Sequence, residues 1–152
     1  MRRAATGGAL VGLMLLAGCS SDVEMPAPAP GDQAAESCRA LMAGLPDSLY
    51  GQERVTVRPD PEFAAAWGSP AIALRCGVQR PEGLRPDSQL TVVNDVAWLP
   101  QPTDRPTLYT AVGHQAYVEM TIPPSYSPPA DALIEISDLI TENVPALPAG
   151  EL

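Results

Sequence analysis

The positions of two cysteines, Cys38 and Cys76, narrow the folds that this chain can adopt. Cys38 follows a capping residue, Asp32, in a run whose apolar side chains recur at helical spacing. Cys76 lies in a run typical of a strand, in which it shares one face with Ile72 and Leu74. The helical stripe comprises Cys38, Leu41, Met42 and Leu45. A Cys38–Cys76 bond would therefore join the buried face of a helix to the buried face of a strand.

The first nineteen residues read as a secretory signal followed by a lipid-attachment site. Arg2 and Arg3 precede a short apolar run, and Leu16-Ala17-Gly18-Cys19 matches the lipobox of bacterial lipoproteins. The run is shorter than the roughly 20 residues that a membrane-spanning helix needs. We therefore predict a signal peptide over residues 1–18 and a diacylglyceryl group on Cys19, often joined by a palmitate-type third chain. An ordinary secretory signal with a chance cysteine is the alternative.

Lipidation of Cys19 would place the mature chain on the extracytoplasmic face of the cell membrane. Two or more acyl chains anchor a protein stably. Residues 19–31 are rich in proline and predict an extended tether of roughly 3 Å per residue. Export also favours a disulfide between Cys38 and Cys76, worth about 4 kcal/mol in the chain-entropy model. Two buried free thiols or a redox pair are the alternatives, although the Cys-x-x-Cys spacing of redox pairs is absent.

The charge balance argues against nucleic acid and anionic lipid headgroups as electrostatic partners. The chain has 9 basic and 18 acidic residues, and its formal net charge is −9. Without Arg2 and Arg3, seven basic residues face 18 acidic ones, which gives a net charge near −11. Such a chain repels phosphate groups.

The pattern of elements predicts one α+β domain over residues 32–144, followed by a flexible tail over residues 145–152. We expect a mostly antiparallel sheet of about six strands with helices at both ends, because the connections are too short for crossover helices. Asp60-Pro61 predicts a short helix over residues 62–67, and Asp131 opens the final helix. The predicted strands cover residues 53–58, 71–78, 90–93, 96–99, 107–112 and 115–122.

Three stretches resemble a known family. They are Ala-Trp-Gly-Ser-Pro-Ala-Ile-Ala-Leu-Arg-Cys-Gly-Val at residues 66–78, Asn-Asp-Val-Ala-Trp at residues 94–98, and the sequence around Cys38. The chain thereby resembles the DUF3515-type family of uncharacterised lipoproteins and secreted proteins from high-GC Gram-positive bacteria. The resemblance implies export and supports the pairing of Cys38 with Cys76. It implies no activity, because the family has none assigned.

The candidate functional side chains are few. His114 is the only histidine and follows Gly113 in a predicted turn, so it is either a catalytic or binding group or an ordinary exposed residue. Trp67 and Trp98 are either core residues or platforms for a stacked ligand. Arg75 pairs either with an internal carboxylate or with a ligand's carboxylate. We find no catalytic set and expect no metal or cofactor.

These observations predict a non-enzymatic accessory or interaction module of the cell envelope, with an envelope protein as its partner. A binding protein for a small envelope ligand is the second hypothesis, and a hydrolase is the third. Residues 123–129, rich in proline, are either a plain loop or a segment that docks a partner.

Overall fold

A computed structural model describes residues 22–152, and this part of the chain forms two helices and ten strands. The predicted signal peptide and Cys19 lie outside the described residues. The elements are β1 (Val23–Glu24), α1 (Asp32–Ala43), β2 (Ser48–Leu49), β3 (Gln52–Val55), β4 (Val57–Arg58), β5 (Ala64–Trp67), β6 (Ile72–Val78), β7 (Thr91–Val93), β8 (Val96–Gln101), β9 (Leu108–Val112), β10 (Tyr117–Thr121) and α2 (Ala130–Asn143).

An antiparallel sheet of eight strands organises the domain, in the order β2-β3-β5-β6-β10-β9-β8-β7. Hairpins join most neighbours, and β6 and β10 lie at its centre. A separate parallel pair joins β1 to β4. Side chains along each central strand point alternately to the two faces of the sheet, and one of these faces is covered by the helices. The predicted α+β fold with a mostly antiparallel sheet is confirmed, with more strands than expected.

Both helices cover the same face of the sheet and bury one stripe each. In α1 the stripe contains Cys38 and Leu41, and in α2 it contains Leu133, Ile136 and Ile140, all at most 3% exposed. This is the apolar spacing expected of a helix that packs on a core. The Cys38–Cys76 disulfide is present, with 5.6 Å between the Cα atoms, and it joins α1 to the centre of the sheet.

The predicted helix over residues 62–67 is wrong, because residues 62 and 63 form a turn and residues 64–67 form strand β5. Ala64 pairs with Arg75 and Trp67 pairs with Ile72. Ala65 and Trp67 point into the main core, whereas Ala64 and Ala66 enter a second apolar cluster on the other face. Pairing with β6 and burial on both faces outweigh the helix propensity of three alanines, which is a weak local preference.

The predicted tether differs from the structure over the residues described. Residues 22–30, here called the arm, run along the sheet face opposite the helices. Val23 pairs with Val57, and Met25 is only 7% exposed. The polyproline pattern indicated an extended backbone but not that the backbone would find a neighbouring strand.

The C-terminal residues also pack on the domain rather than forming the free tail expected. The backbone N–H of Leu147 donates to Gly113 O at 2.9 Å, and that of Gln115 donates to Pro145 O at 2.9 Å. An isolated β-bridge joins His114 to Ala146. Proline and small residues therefore did not indicate disorder here, because backbone hydrogen bonds fix this segment.

Candidate functional site

A concave groove lies beside the first turn of α2. It consists of a cavity of about 700 Å³ and an adjoining cavity of about 380 Å³, and Pro106, Tyr109 and Pro129 line both. The larger cavity is further lined by Gln89, Leu90, Thr91, Val93, Pro100, Thr103, Ala130 and Leu133. The smaller one adds Asp104, Arg105, Thr107, Ile122, Pro123, Pro124, Tyr126 and Ser127. We call this continuous surface the proline groove.

Prolines from one strand and two connections form the walls of the proline groove. They come from the end of β8, from the β8–β9 loop and from the β10–α2 connection. Proline has no backbone N–H, so these walls offer shape and apolar surface with few donors. The loop over residues 123–129 is a connection without regular strand or helix, as expected, and it forms one wall.

Two tyrosines form the floor of the groove. The Tyr109 hydroxyl donates to Pro106 O at 3.2 Å, and the Tyr126 hydroxyl donates to Pro70 O at 2.7 Å. Burial raises the pKa of Tyr109 above its ordinary value. Tyr126 also packs edge-on against Tyr50, with ring centroids 5.4 Å apart. Both hydroxyls are occupied within the fold, so these rings offer their apolar surface.

Charge around the proline groove is predominantly acidic. Asp104 and Arg105 are the charged residues among those that line it. The neighbouring helix α2 adds an exposed acidic row comprising Asp131, Glu135, Asp138 and Glu142. The Asn94 amide donates to the Asp138 carboxylate at 2.8 Å and thereby joins the β7–β8 turn to α2. The groove thus combines apolar walls with an acidic flank.

A second cavity, of about 350 Å³, lies on the sheet face opposite the helices. Val23 to Pro26 of the arm form one wall, and Arg75 and Glu119 lie on the sheet below. Arg75 Nε and Nη2 both donate to Glu119 Oε1, at 2.8 and 2.5 Å. The side chains are 27% and 14% exposed. Of the two interpretations of Arg75, the structure therefore places it in an internal ion pair, at the edge of a cavity.

Trp67 and Trp98 are core residues and are fully buried. Trp67 Nε1 donates to Pro46 O at 3.0 Å, and Trp98 Nε1 donates to Ser137 Oγ at 2.9 Å. Of the two interpretations of these tryptophans, the structure supports core residues and not ligand platforms, because no face of either ring reaches solvent.

His114 lies apart from the proline groove. Its Nδ1 is 3.1 Å from Val112 O, and its backbone pairs with Ala146. Among residues 22–152, no group of three His, Cys, Asp or Glu side chains is arranged to hold a metal ion. No helix in this part of the chain is long and apolar enough to cross a membrane.

The sequence did not reveal the proline groove, because three separate segments of the chain form it, within residues 89–93, 100–109 and 122–133. Pro100 lies near the end of β8 and Pro106 lies in the loop that follows it, whereas Pro129 belongs to the β10–α2 connection. The high proline count was the available signal, but it does not say which prolines meet.

A family model described as a protein of unknown function (DUF3515) matches residues 6–149. This is the family that the motifs at residues 66–78 and 94–98 resemble. No curated protein and no solved structure matches the chain at a significant level.

Proposed function

This chain belongs to the DUF3515 family, whose function is unknown, and we propose that it is an exported bacterial lipoprotein that acts as a non-enzymatic interaction module of the cell envelope. In this proposal residues 1–18 are removed on export and Cys19 carries the lipid. The proline groove receives an extended apolar segment, bearing arginine or lysine, from an envelope protein. The groove is the observation that carries the interaction role.

Export and lipidation rest on the lipobox at Leu16-Ala17-Gly18-Cys19 and on the disulfide in the folded domain. Disulfides persist in oxidising compartments outside the cytoplasm. Metabolic labelling with an alkyne analogue of palmitate tests the anchor. We expect label in the full chain and none in Cys19→Ser, which should leave the membrane fraction. Label that persists in Cys19→Ser, or that is absent from the full chain, would contradict lipidation.

The chemistry of the groove supports a peptide segment as its occupant. Apolar walls stabilise apolar side chains by removing them from water, at about 25 cal/mol per Å². The acidic row on α2 and the net charge of −9 favour a segment with basic side chains. Asp104 lines the smaller cavity together with the hydroxyls of Thr107 and Ser127, and neither hydroxyl donates to its carboxylate in the structure, so recognition is the chemistry that the groove supports best.

Photo-cross-linking in cells tests the occupant. A photoreactive amino acid replaces Thr103, which is exposed and lines the groove, and the cross-linked peptide is identified by mass spectrometry. We expect one membrane or cell-wall protein, cross-linked through an extended segment that contains apolar and basic residues. Adducts that map to acidic or helical segments, or to no protein at all, would contradict the proposal.

A matched pair of glutamines provides the control for this experiment. Gln89 is exposed and lines the groove, whereas Gln79 is exposed and lies outside it. Gln89→Arg places a positive charge beside a basic occupant, so we expect weaker cross-linking from Thr103. Gln79→Arg adds the same charge elsewhere and should leave the cross-link unchanged. Equal effects of the two variants would exclude the groove as the binding site.

A second candidate function, binding of a small envelope ligand, rests on the cavity at Arg75 and Glu119. Each side chain retains one further polar atom that can serve a zwitterionic ligand. Thermal denaturation with the dipeptide alanyl-alanine as probe tests this function. We expect stabilisation of the native protein and none in Arg75→Met. No stabilisation of the native protein would argue against this ligand class.

A further inference from the structure

We infer that the lipid-anchored domain lies directly against the bilayer, with the surface around Arg58 and Pro59 facing the lipid headgroups. The inference rests on the proposed lipidation of Cys19 and adds the geometry of attachment. It replaces the expected long spacer with a short connection, because the arm is part of the fold.

Hydrogen bonds fix the start of the arm on β4. The Val23 N–H donates to Thr56 O at 2.9 Å, and the Met25 N–H donates to Arg58 O at 3.0 Å. Arg58 Nε is 2.6 Å from the Asp22 carboxylate. The arm is thus attached from the first residue that the structure describes.

Apolar packing holds the middle of the arm. Met25 packs in a cluster with Val57, Ala64 and Ala66, and these residues are each at most 8% exposed. The alanines of β5 leave room above the sheet for the methionine side chain. Small alanine side chains therefore suit the positions of β5 that face away from the helices, where an uncovered strand would carry larger polar residues.

The end of the arm is fixed as well. Gly77 has a positive φ of 78°, and a Cβ at this position would overlap the ring of Pro30. Glycine is therefore required where β6 passes beneath the arm. The arm is held at three points along its length, by β4, by the Met25 cluster and by Gly77.

Chain length then sets the distance to the membrane. Cys19 and Asp22 are three residues apart, which extended chain spans with at most about 10 Å. If the arm were released up to Gly31, twelve residues of polyproline-type chain would span about 37 Å. A domain of this size has a radius of gyration of about 14 Å. With the arm docked, the connection from Cys19 to Asp22 is shorter than this radius, so the domain must touch or nearly touch the bilayer.

The membrane-facing surface follows from the same geometry. Glu24, Pro26, Arg58 and Pro59 surround the docked start of the arm. Arg58 is paired with Asp22, and the exposed Glu24 adds a further negative charge, so the short connection and not electrostatic attraction holds this surface at the headgroups. The opposite edge of the sheet, at β7, lies five strand spacings from β5, about 24 Å.

Energy transfer to labelled lipid tests the inference in the full lipidated protein. The protein is reconstituted in phosphatidylcholine vesicles that contain a headgroup-labelled acceptor lipid. A fluorescent amino acid replaces either Asp60, beside the arm, or Val92, on β7. We expect strong transfer from position 60 and weak transfer from position 92. Equal transfer from both positions would overturn the inference.

Release of the arm provides the decisive comparison. Met25→Asp places a charge in the apolar cluster, whereas Val23→Pro removes the donor to Thr56 O and leaves the four buried residues of the cluster unchanged. We expect transfer from position 60 to fall to the level of position 92 in both variants, and to stay unchanged in Glu24→Ala. If amide exchange shows that the arm is released in both variants but energy transfer from position 60 stays unchanged, the inference is overturned.

Failure of lipidation gives a different result from failure of this geometry. A chain without lipid on Cys19 would not remain on the vesicles, and neither donor position would show transfer. A lipidated chain with a free arm would remain on the vesicles and show equal, weak transfer from both positions. The first result contradicts the proposed function, and the second contradicts only the inference.

Discussion

Removal of the disulfide should cost this domain a large share of its stability. The bond closes a loop with a sequence separation of 38 residues. In the chain-entropy model such a loop lowers the entropy of the unfolded chain by about 13 cal/mol/K, which corresponds to about 4 kcal/mol at 25 °C. Small domains have a total stability of about 5–15 kcal/mol. We therefore expect Cys38→Ala/Cys76→Ala to remain folded but marginal.

The same magnitude can be expressed as a melting temperature. A domain of about 130 residues unfolds with an entropy near 0.27 kcal/mol/K at its midpoint, so about 4 kcal/mol lowers the midpoint by about 14 °C. Both cysteines are fully buried, so a reductant reaches the bond only when the domain opens. Reduction should accordingly be slow under native conditions and fast near the midpoint.

Urea denaturation followed by far-ultraviolet circular dichroism measures the loss. The mature chain with Cys19→Ser is the reference, because Cys38 and Cys76 are then its only cysteines. The double variant should lose about 4 kcal/mol, and dithiothreitol should destabilise the reference but not the double variant. A loss below about 1 kcal/mol would refute the loop-closure argument, which requires most of the effect to come from the unfolded chain.

Three further predictions concern single contacts. Ser137→Ala leaves the buried Nε1–H of Trp98 without its acceptor and should cost about 1–3 kcal/mol of stability. In a double-mutant cycle measured by urea denaturation, the variant that also carries Trp98→Phe should lose less stability than the two single variants lose together. Asp95 has a φ of 64°, so Asp95→Gly should raise stability by about 0.5–1 kcal/mol, measured by urea denaturation; a decrease would contradict the turn assignment. Burial raises the pKa of Tyr109 in the folded protein, so the stability that its neutral hydroxyl contributes is complete below the ordinary tyrosine pKa of about 10 and is lost as pH rises through the folded-state pKa. In alkaline titrations followed by circular dichroism, the native protein should therefore lose more stability than Tyr109→Phe. Equal losses would contradict this origin.

Local patterns were sufficient to predict most of the elements. Both terminal helices and the central strands follow from apolar spacing, because each element has one face in a single core. The predicted strands over residues 90–93 and 96–99 leave Asn94 and Asp95 between them, and both residues adopt positive φ in the turn from β7 to β8. These features depend on residues close together in the sequence.

Features that depend on distant pairing could not be predicted in this way. Strand β5 has a helix-like sequence, and only its pairing with β6 makes it a strand. The arm looks like a free linker, and only β4 and the alanines of β5 make it part of the fold. The proline groove likewise needs three separate segments of the chain to meet. In each case the deciding partner lies elsewhere in the chain.

The two tryptophans provide natural fluorescent reporters of folding. Trp67 on β5 and Trp98 on β8 lie four strand spacings apart, about 19 Å, and each packs beneath a different part of the helical layer. Trp67→Phe and Trp98→Phe variants would each leave one indole, whose emission shifts to longer wavelength when water reaches it. Coincident transitions would show that the sheet melts as one cooperative unit. Separate transitions would show that its two halves melt independently.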